Sequence, residues 1–258
     1  IAQAFGRKDT AMLKKILANS FFSSTLFCLL ISLAGLLFRR QILDWVQAPA
    51  EIREMALSYL TVMMAMMVFQ FFINWTNGML RGLGDAATVV KILIMLTLFN
   101  IVFVPLCIRG IGPLPPLGVA GAAWGTALAA VTTCIIGYLY LIKFNPYVNM
   151  RNWDYSLDRH IIREVFVIGV PASLQMMVVS LAGVIIVAMV NRYGTAVTAA
   201  YGIGMQIDML ATIPFMSIGM ASTTIAGQNL GARKMERVYE TLRVGIYFAV
   251  AAGLLCTF

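Results

Sequence analysis

The sequence predicts an all-α, polytopic membrane protein built as a two-lobe helical bundle, and three observations carry that prediction. Hydrophobic residues fill 60% of the 258 positions and charged residues 12%, roughly half the charge of an ordinary soluble domain; the mean hydropathy is +0.86. Long apolar runs recur without the alternation of a barrel strand, and in lipid only helices and closed barrels satisfy the backbone. One polar stretch, Lys143 to Glu164, breaks the pattern with four basic side chains, three acidic ones and the sole histidine, His160. Hydrocarbon does not accept that density of unpaired charge, so the stretch reads as a water-exposed connector between two lobes.

Taken in order, Ile1 to Asp9 reads as the exit of a helix already under way. Six apolar runs follow that are long enough to cross about 30 Å of hydrocarbon: Ile16 to Phe38, Met55 to Met79, Val89 to Ile108, Gly118 to Ile142, Val165 to Val190 and Val197 to Ile225. A seventh, from Val244, is expected to be too short to span, and both ends read as cut from a longer protein. The expected division is a first lobe over 1–144, a connector over 145–157 and a second lobe over 158–258.

Charge bias orients the runs. Arg7, Lys8, Lys14, Lys15, Arg81, Lys91, Lys143, Arg151, Arg159, Arg163, Arg233, Lys234, Arg237 and Arg243 fall in one alternating set of loops; Arg39, Arg40, Arg53, Arg109 and Arg192 fall in the other. The richer set faces the cytoplasm by the positive-inside rule, and the connector with it. That topology accounts for the formal charge of +8 without a nucleic-acid partner, which needs a basic face on a water-soluble body. Cys28, Cys107, Cys134 and Cys256 sit in or beside apolar runs as small hydrophobes, so no disulfide framework and no metal site are expected. No nucleophile elbow or nucleotide loop is present, which excludes the usual enzyme classes. Work done by such a protein must draw on an ion gradient, with no organic cofactor.

An internal echo links the two ends. Ala2-Gln3-Ala4-Phe5-Gly6-Arg7-Lys8 aligns with Gly227-Gln228-Asn229-Leu230-Gly231-Ala232-Arg233 at a constant offset of 225. Gln and Gly recur in register, each copy followed by charges and an apolar run, as in two parallel repeats.

Asp208 carries the most weight among candidate functional residues. The other ten acidic side chains lie in loops or at membrane edges, whereas Asp208 stands eleven residues into a span, where a carboxylate costs a few kcal/mol unless protonated, paired or wet. Three readings stay open: exchange of a proton or sodium ion, a structural carboxylate bonded to a neighbour such as Gln206, Tyr201 or Thr212, or one near a cavity that merely attracts cations. Asn74 and Asn77, at i, i+3, and Asn100 place amides in the first lobe, where such groups also glue helices together. Gln175, Ser180, Gln206, Met205, Met176, Met177 and Met209 suit a cavity for varied apolar cations or ordinary packing. Phe69, Phe71, Phe72 and Trp75 offer either cation-π faces or packing. Gly121 and Gly125 form a GxxxG surface for close helix approach, and Pro105, Pro171 and Pro214 should kink their spans. Arg81-Gly82-Leu83-Gly84-Asp85 reads as a tight turn, since no strand precedes it and no Gly-Lys-Ser/Thr follows.

Gln3-Ala4-Phe5-Gly6, Arg81-Gly82-Leu83-Gly84-Asp85, Gly118-Val119-Ala120-Gly121-Ala122-Ala123-Trp124-Gly125-Thr126, Gly169-Val170-Pro171 and Gly227-Gln228-Asn229-Leu230-Gly231-Ala232 together resemble successive signatures of the multidrug and toxic compound extrusion (MATE) transporters. The resemblance implies twelve helices in two six-helix lobes, of which this chain would carry the end of helix 2 to part of helix 9, with helices 3–6 in the first lobe and 7–9 in the second. It implies a proton- or sodium-coupled antiporter in the cell (inner) membrane, working as a monomer and expelling small organic cations. Asn74, Asn77 and Asn100 match polar positions near a family cation site. Val104, however, stands where some members carry an acid, and Val178-Val179-Ser180 stands where others carry a glutamate. A lipid-linked oligosaccharide flippase of related fold is the alternative. It calls for basic residues in mid-span, and no run has one.

Overall fold

The computed structural model describes residues 1–45, 52–110, 117–145, 147, 149 and 153–257, with backbone alone at Cys256 and Thr257. Arg151 of the basic set and the side chain of Cys256 lie outside the described residues. Every regular element described is helical: α1 (Ala2–Gly6), α2 (Thr10–Leu37), α3 (Arg39–Trp45), α4 (Arg53–Leu83), α5 (Ala86–Arg109), α6 (Gly118–Phe144), α7 (Arg159–Val190), α8 (Thr195–Gly231) and α9 (Met235–Thr257), with a 3-10 turn at Asn191–Tyr193. Seven of them, α2 and α4 to α9, are long and apolar enough to cross a bilayer. The chain is an all-α, multi-pass membrane protein.

The seventh run differs from expectation. α9 begins at Met235, ahead of Val244, and its 23 residues reach about 35 Å, enough to span. Its first turns absorb a charged segment that hydropathy alone assigns to a loop. Glu236 complements the positive end of the helix dipole, and Arg237 pairs with Glu240 at 3.4 Å one turn on.

The contacts group the chain into two compact units, residues 11–156 and residues 1–10 with 157–258. In the first, α6 is the central element because its buried face is mostly small: Gly121, Ala123, Gly125, Ala127, Ala129, Ala130 and Gly137 are buried, with Thr133 and Leu141. Small residues let backbones meet. A methyl group at Gly121 would overlap the carbonyl of Cys107, and one at Gly125 would overlap the backbone at Val104, so the GxxxG surface seats α6 against α5 on either side of Pro105. The Leu117 N–H donates to the Cys107 carbonyl at 3.2 Å, satisfying one acceptor that the end of α5 leaves open.

Polar side chains fix other crossings in this unit. The Ser32 hydroxyl of α2 donates to the Met64 carbonyl of α4 at 2.6 Å, close to where Gly35 abuts the Met64 side chain. The Arg81 to Asp85 segment is the tight turn expected: Gly84 is left-handed at φ 84° and closes α4, while Asp85 accepts from the Thr88 N–H at 3.1 Å and caps α5.

The connector is not a free tether. α6 runs to Phe144 and α7 starts at Arg159. Of the residues between them, Trp153 is 6% exposed. Its ring lies edge-on to Phe21 at 5.8 Å and tilted against Trp75 at 5.6 Å, and its indole N–H donates to the Tyr147 carbonyl. Burying the indole removes a large apolar surface from water while Asp154 stays exposed, and Tyr155 sets its ring edge-on to Phe22 at 5.7 Å, so the segment folds onto α2 and α4.

In the second unit, α8 packs on α9 and on α1. α7 is largely uncovered, with Ile161 its one buried residue among those described.

Candidate functional site

α8 holds its polar residues on one continuous helix that contains Pro214, whose ring nitrogen cannot donate to the Leu210 carbonyl. Asp208 lies about 20 Å along the helix from its first residue, about two turns before Pro214. It is exposed on the unit's surface. The Thr212 hydroxyl, one of the partners considered for its carboxylate, donates instead to the Asp208 backbone carbonyl at 2.8 Å. No hydrogen bond or ion pair reaches the Asp208 carboxylate among the described residues. The reading of a carboxylate tied to a neighbour therefore has no bond among the described residues to support it.

Gln206 and Met205 lie beside Asp208 on α8, and Gln175, Ser180, Met176 and Met177 lie on α7, all exposed. Neither of the two cavities described for this chain is lined by them. One of these, about 520 Å³, lies between α8 and α9 and mixes apolar residues such as Ile225 and Phe248 with Ser222, Asn229 and Arg237.

The first unit separates the three candidate asparagines. Asn77 is 3% exposed and its side-chain oxygen has no hydrogen-bond partner among the described residues. Asn74, one turn earlier, is exposed. The i, i+3 spacing thus places the pair across the boundary between core and surface. Asn100 is half-buried, and its amide donates to the Leu96 carbonyl of its own helix at 2.9 Å, which takes up that donor.

Three of the four aromatic candidates, Phe71, Phe72 and Trp75, pack against one ring. Phe72 and Trp75 converge edge-on upon Phe21 of α2, at 6.1 and 5.0 Å, and Phe71 lies tilted beside it at 6.5 Å. With Trp153 they form the cluster that pins the connector. Phe21 and Asn19 are the residues that the sequence reading missed. Asn19 is 2% exposed, and its amide donates to the Ser156 carbonyl at 2.9 Å and to the Lys15 carbonyl at 3.0 Å. An asparagine just inside an apolar run was the available signal. Among the described residues no three His, Cys, Asp or Glu side chains are grouped to hold a metal ion.

Comparisons with known proteins agree with this architecture. The MatE family model matches residues 1–106 and 171–258. The chain is 29% identical over 98% of its length to the "Probable multidrug resistance protein YoeA" of Bacillus subtilis (strain 168), covering 55% of that protein. It is 31% identical over 80% of its length to the "Probable multidrug resistance protein YpnP" of the same organism, covering 45% of it. The chain therefore spans about half the length of the curated relatives it matches. A crystal structure of MATE in complex with MaD5 superimposes with a TM-score of 0.88 at 27% identity, covering 98% of this chain and 57% of that one. A match of that extent in sequence and in fold is decisive: the chain belongs to the multidrug and toxic compound extrusion (MATE) family.

Proposed function

We propose that this chain is the part of an ion-coupled exporter that carries the exchanged charge, and that the complete protein uses an inward proton or sodium gradient to expel small organic cations across the cytoplasmic membrane. The observation that carries the reading is the Asp208 carboxylate, in mid-span on α8 and without a partner among the described residues. A lone carboxylate at that depth attracts a cation, and binding a proton or sodium ion neutralises it. Cargo and ion competing for one negative charge is the simplest exchange that this arrangement supports.

Gln206 and Met205 beside it, and Gln175 and Ser180 on α7, supply amide, hydroxyl and thioether groups that suit amphipathic cargo. Pro214 gives α8 a point at which to bend between the two exposures of the site. The names of the relatives, both multidrug resistance proteins, favour drug-like cargo. The absence of Lys and Arg from the middle of the spans favours cations over pyrophosphate-linked lipids.

The experiment is efflux of a fluorescent organic cation from proteoliposomes under a proton gradient and, separately, a sodium gradient. Acceleration by one gradient, abolished in Asp208→Asn, supports the reading. Gradient-independent flux, or equal flux in the variant, removes it.

A further inference from the structure

The paired turns at Lys8 and Arg233 carry an assignment of their own. The echo found in the sequence is a physical repeat: the Lys8 N–H donates to Phe5 and the Asp9 N–H to Ala4, at 3.0 and 3.2 Å; the Arg233 N–H donates to Leu230 and the Lys234 N–H to Asn229, at 3.1 and 2.9 Å. Lys8 and Arg233 are both left-handed, at φ 58° and 59°, and among the described residues no other residue except glycine is. Glycine is the usual residue at such a helix exit; here both copies place a long basic side chain there instead, against steric preference.

The two turns line one cavity of about 610 Å³, with Arg7, Lys8, Arg233 and Lys234 around it and Gly6 and Gly231 at its base. All four basic side chains are exposed, and no ion pair reaches any of them among the described residues. Asp9 and Glu236 are near in the chain, but neither lines the cavity. The negative ends of the α1 and α8 dipoles offset the repulsion in part. The backbone N–H groups of both turns are spent on the caps, so any ligand meets side chains.

We infer that this cavity binds a phosphate-bearing anion, held by Arg7 and Lys8 at the α1–α2 turn and by Arg233 and Lys234 at the α8–α9 turn. Arginine forks a phosphate with two parallel hydrogen bonds, and lysine adds a mobile point charge. The site exists only while the two turns are apposed, because each supplies half of the charge. Two sources offer the chemistry: the headgroup of an anionic phospholipid at the membrane surface, or a free phosphate in the aqueous phase.

The test uses the purified protein in nanodiscs. One arm compares lipid retained by native mass spectrometry from phosphatidylcholine discs with and without phosphatidylglycerol. The other titrates inorganic pyrophosphate calorimetrically into phosphatidylcholine discs. Lys8→Gln with Arg233→Gln should weaken binding about tenfold or more, from the loss of two charges near the surface. Lys8→Arg with Arg233→Lys should retain it. Arg39→Gln with Arg40→Gln, a basic pair outside the cavity with Arg39 half-buried and Arg40 exposed, should leave it unchanged. Retention of phosphatidylglycerol alone assigns the site to lipid, and pyrophosphate binding alone assigns it to a free anion. Binding in neither arm, or an equal loss in the Arg39/Arg40 control, overturns the inference.

Discussion

Gly6 lies face to face with the backbone carbonyl of Gln228: a methyl group on Gly6 would overlap that oxygen, and a methyl group on Gly231 would overlap the Gln3 carbonyl in the same way. The four residues are two pairs of the 225-residue echo, so α1 and α8 cross through a local two-fold relationship in which each copy's glycine receives the other copy's glutamine backbone. The repeat is therefore packed against itself at this point.

Because no side chain fits there, Gly6→Ala and Gly231→Ala should each cost about 1–3 kcal/mol by overpacking. Gly202→Ala on α8, where the added methyl meets open space, should be neutral or slightly stabilising through helix propensity. Thermal unfolding in detergent, followed by circular dichroism, orders the three. Equal midpoints for Gly6→Ala and Gly202→Ala would mean that the crossing is not close.

The α5–α6 seam should behave likewise. Gly121→Leu or Gly125→Leu drives a branched side chain into the backbone around Pro105 and should abolish recovery of folded protein. Gly137→Ala, which meets only the Met95 methyl at 3.7 Å, should be tolerated. Yield of monodisperse protein on size exclusion reports both.

Trp153 holds the connector to α2 and α4. Its truncation to Ala should cost about 3–5 kcal/mol by the scale for buried aromatics, and Asn19→Ala about 1–3 kcal/mol through the orphaned Ser156 carbonyl. Limited proteolysis should cut both variants in the connector sooner than the wild type. An unchanged cleavage pattern would contradict the pinned geometry.

Asp154 adds a pH dependence to the same segment. The Ser156 backbone N–H, and then the Ser156 hydroxyl, hold its carboxyl below the ordinary carboxylate range. Since the folded value lies below the unfolded one, the contribution is complete above about pH 4 and fades as pH falls through the lowered value. Protease protection of the connector should thus be flat from neutral pH down to about pH 4 and drop in stronger acid. Asp154→Asn should remove the acid-dependent step.

Much of this architecture was legible in the residues because hydropathy dominates in lipid. The spans, the GxxxG seam and the Gln-Gly echo all follow from composition and spacing. The start of α9 was not, since Glu236, Arg237, Glu240 and Arg243 read as loop until helix-end electrostatics is counted. Nor was the connector's attachment, which depends on Phe21 and Asn19 meeting Trp153 and Ser156 from far away in the chain. Asn74 and Asn77 show the limit of periodicity: spacing put them on one face, but only the packing of α4 shows that the face ends between them.

The exchange claim rests on one carboxylate, and counterflow tests it most directly. In proteoliposomes loaded with a fluorescent cation and no imposed gradient, outward movement of cargo should draw protons or sodium ions inward, read by an internal pH or sodium dye. Wild type is expected to couple the two, and Asp208→Asn to lose ion uptake together with the cargo movement that drives it. Ion uptake of equal size in Asp208→Asn would contradict the account.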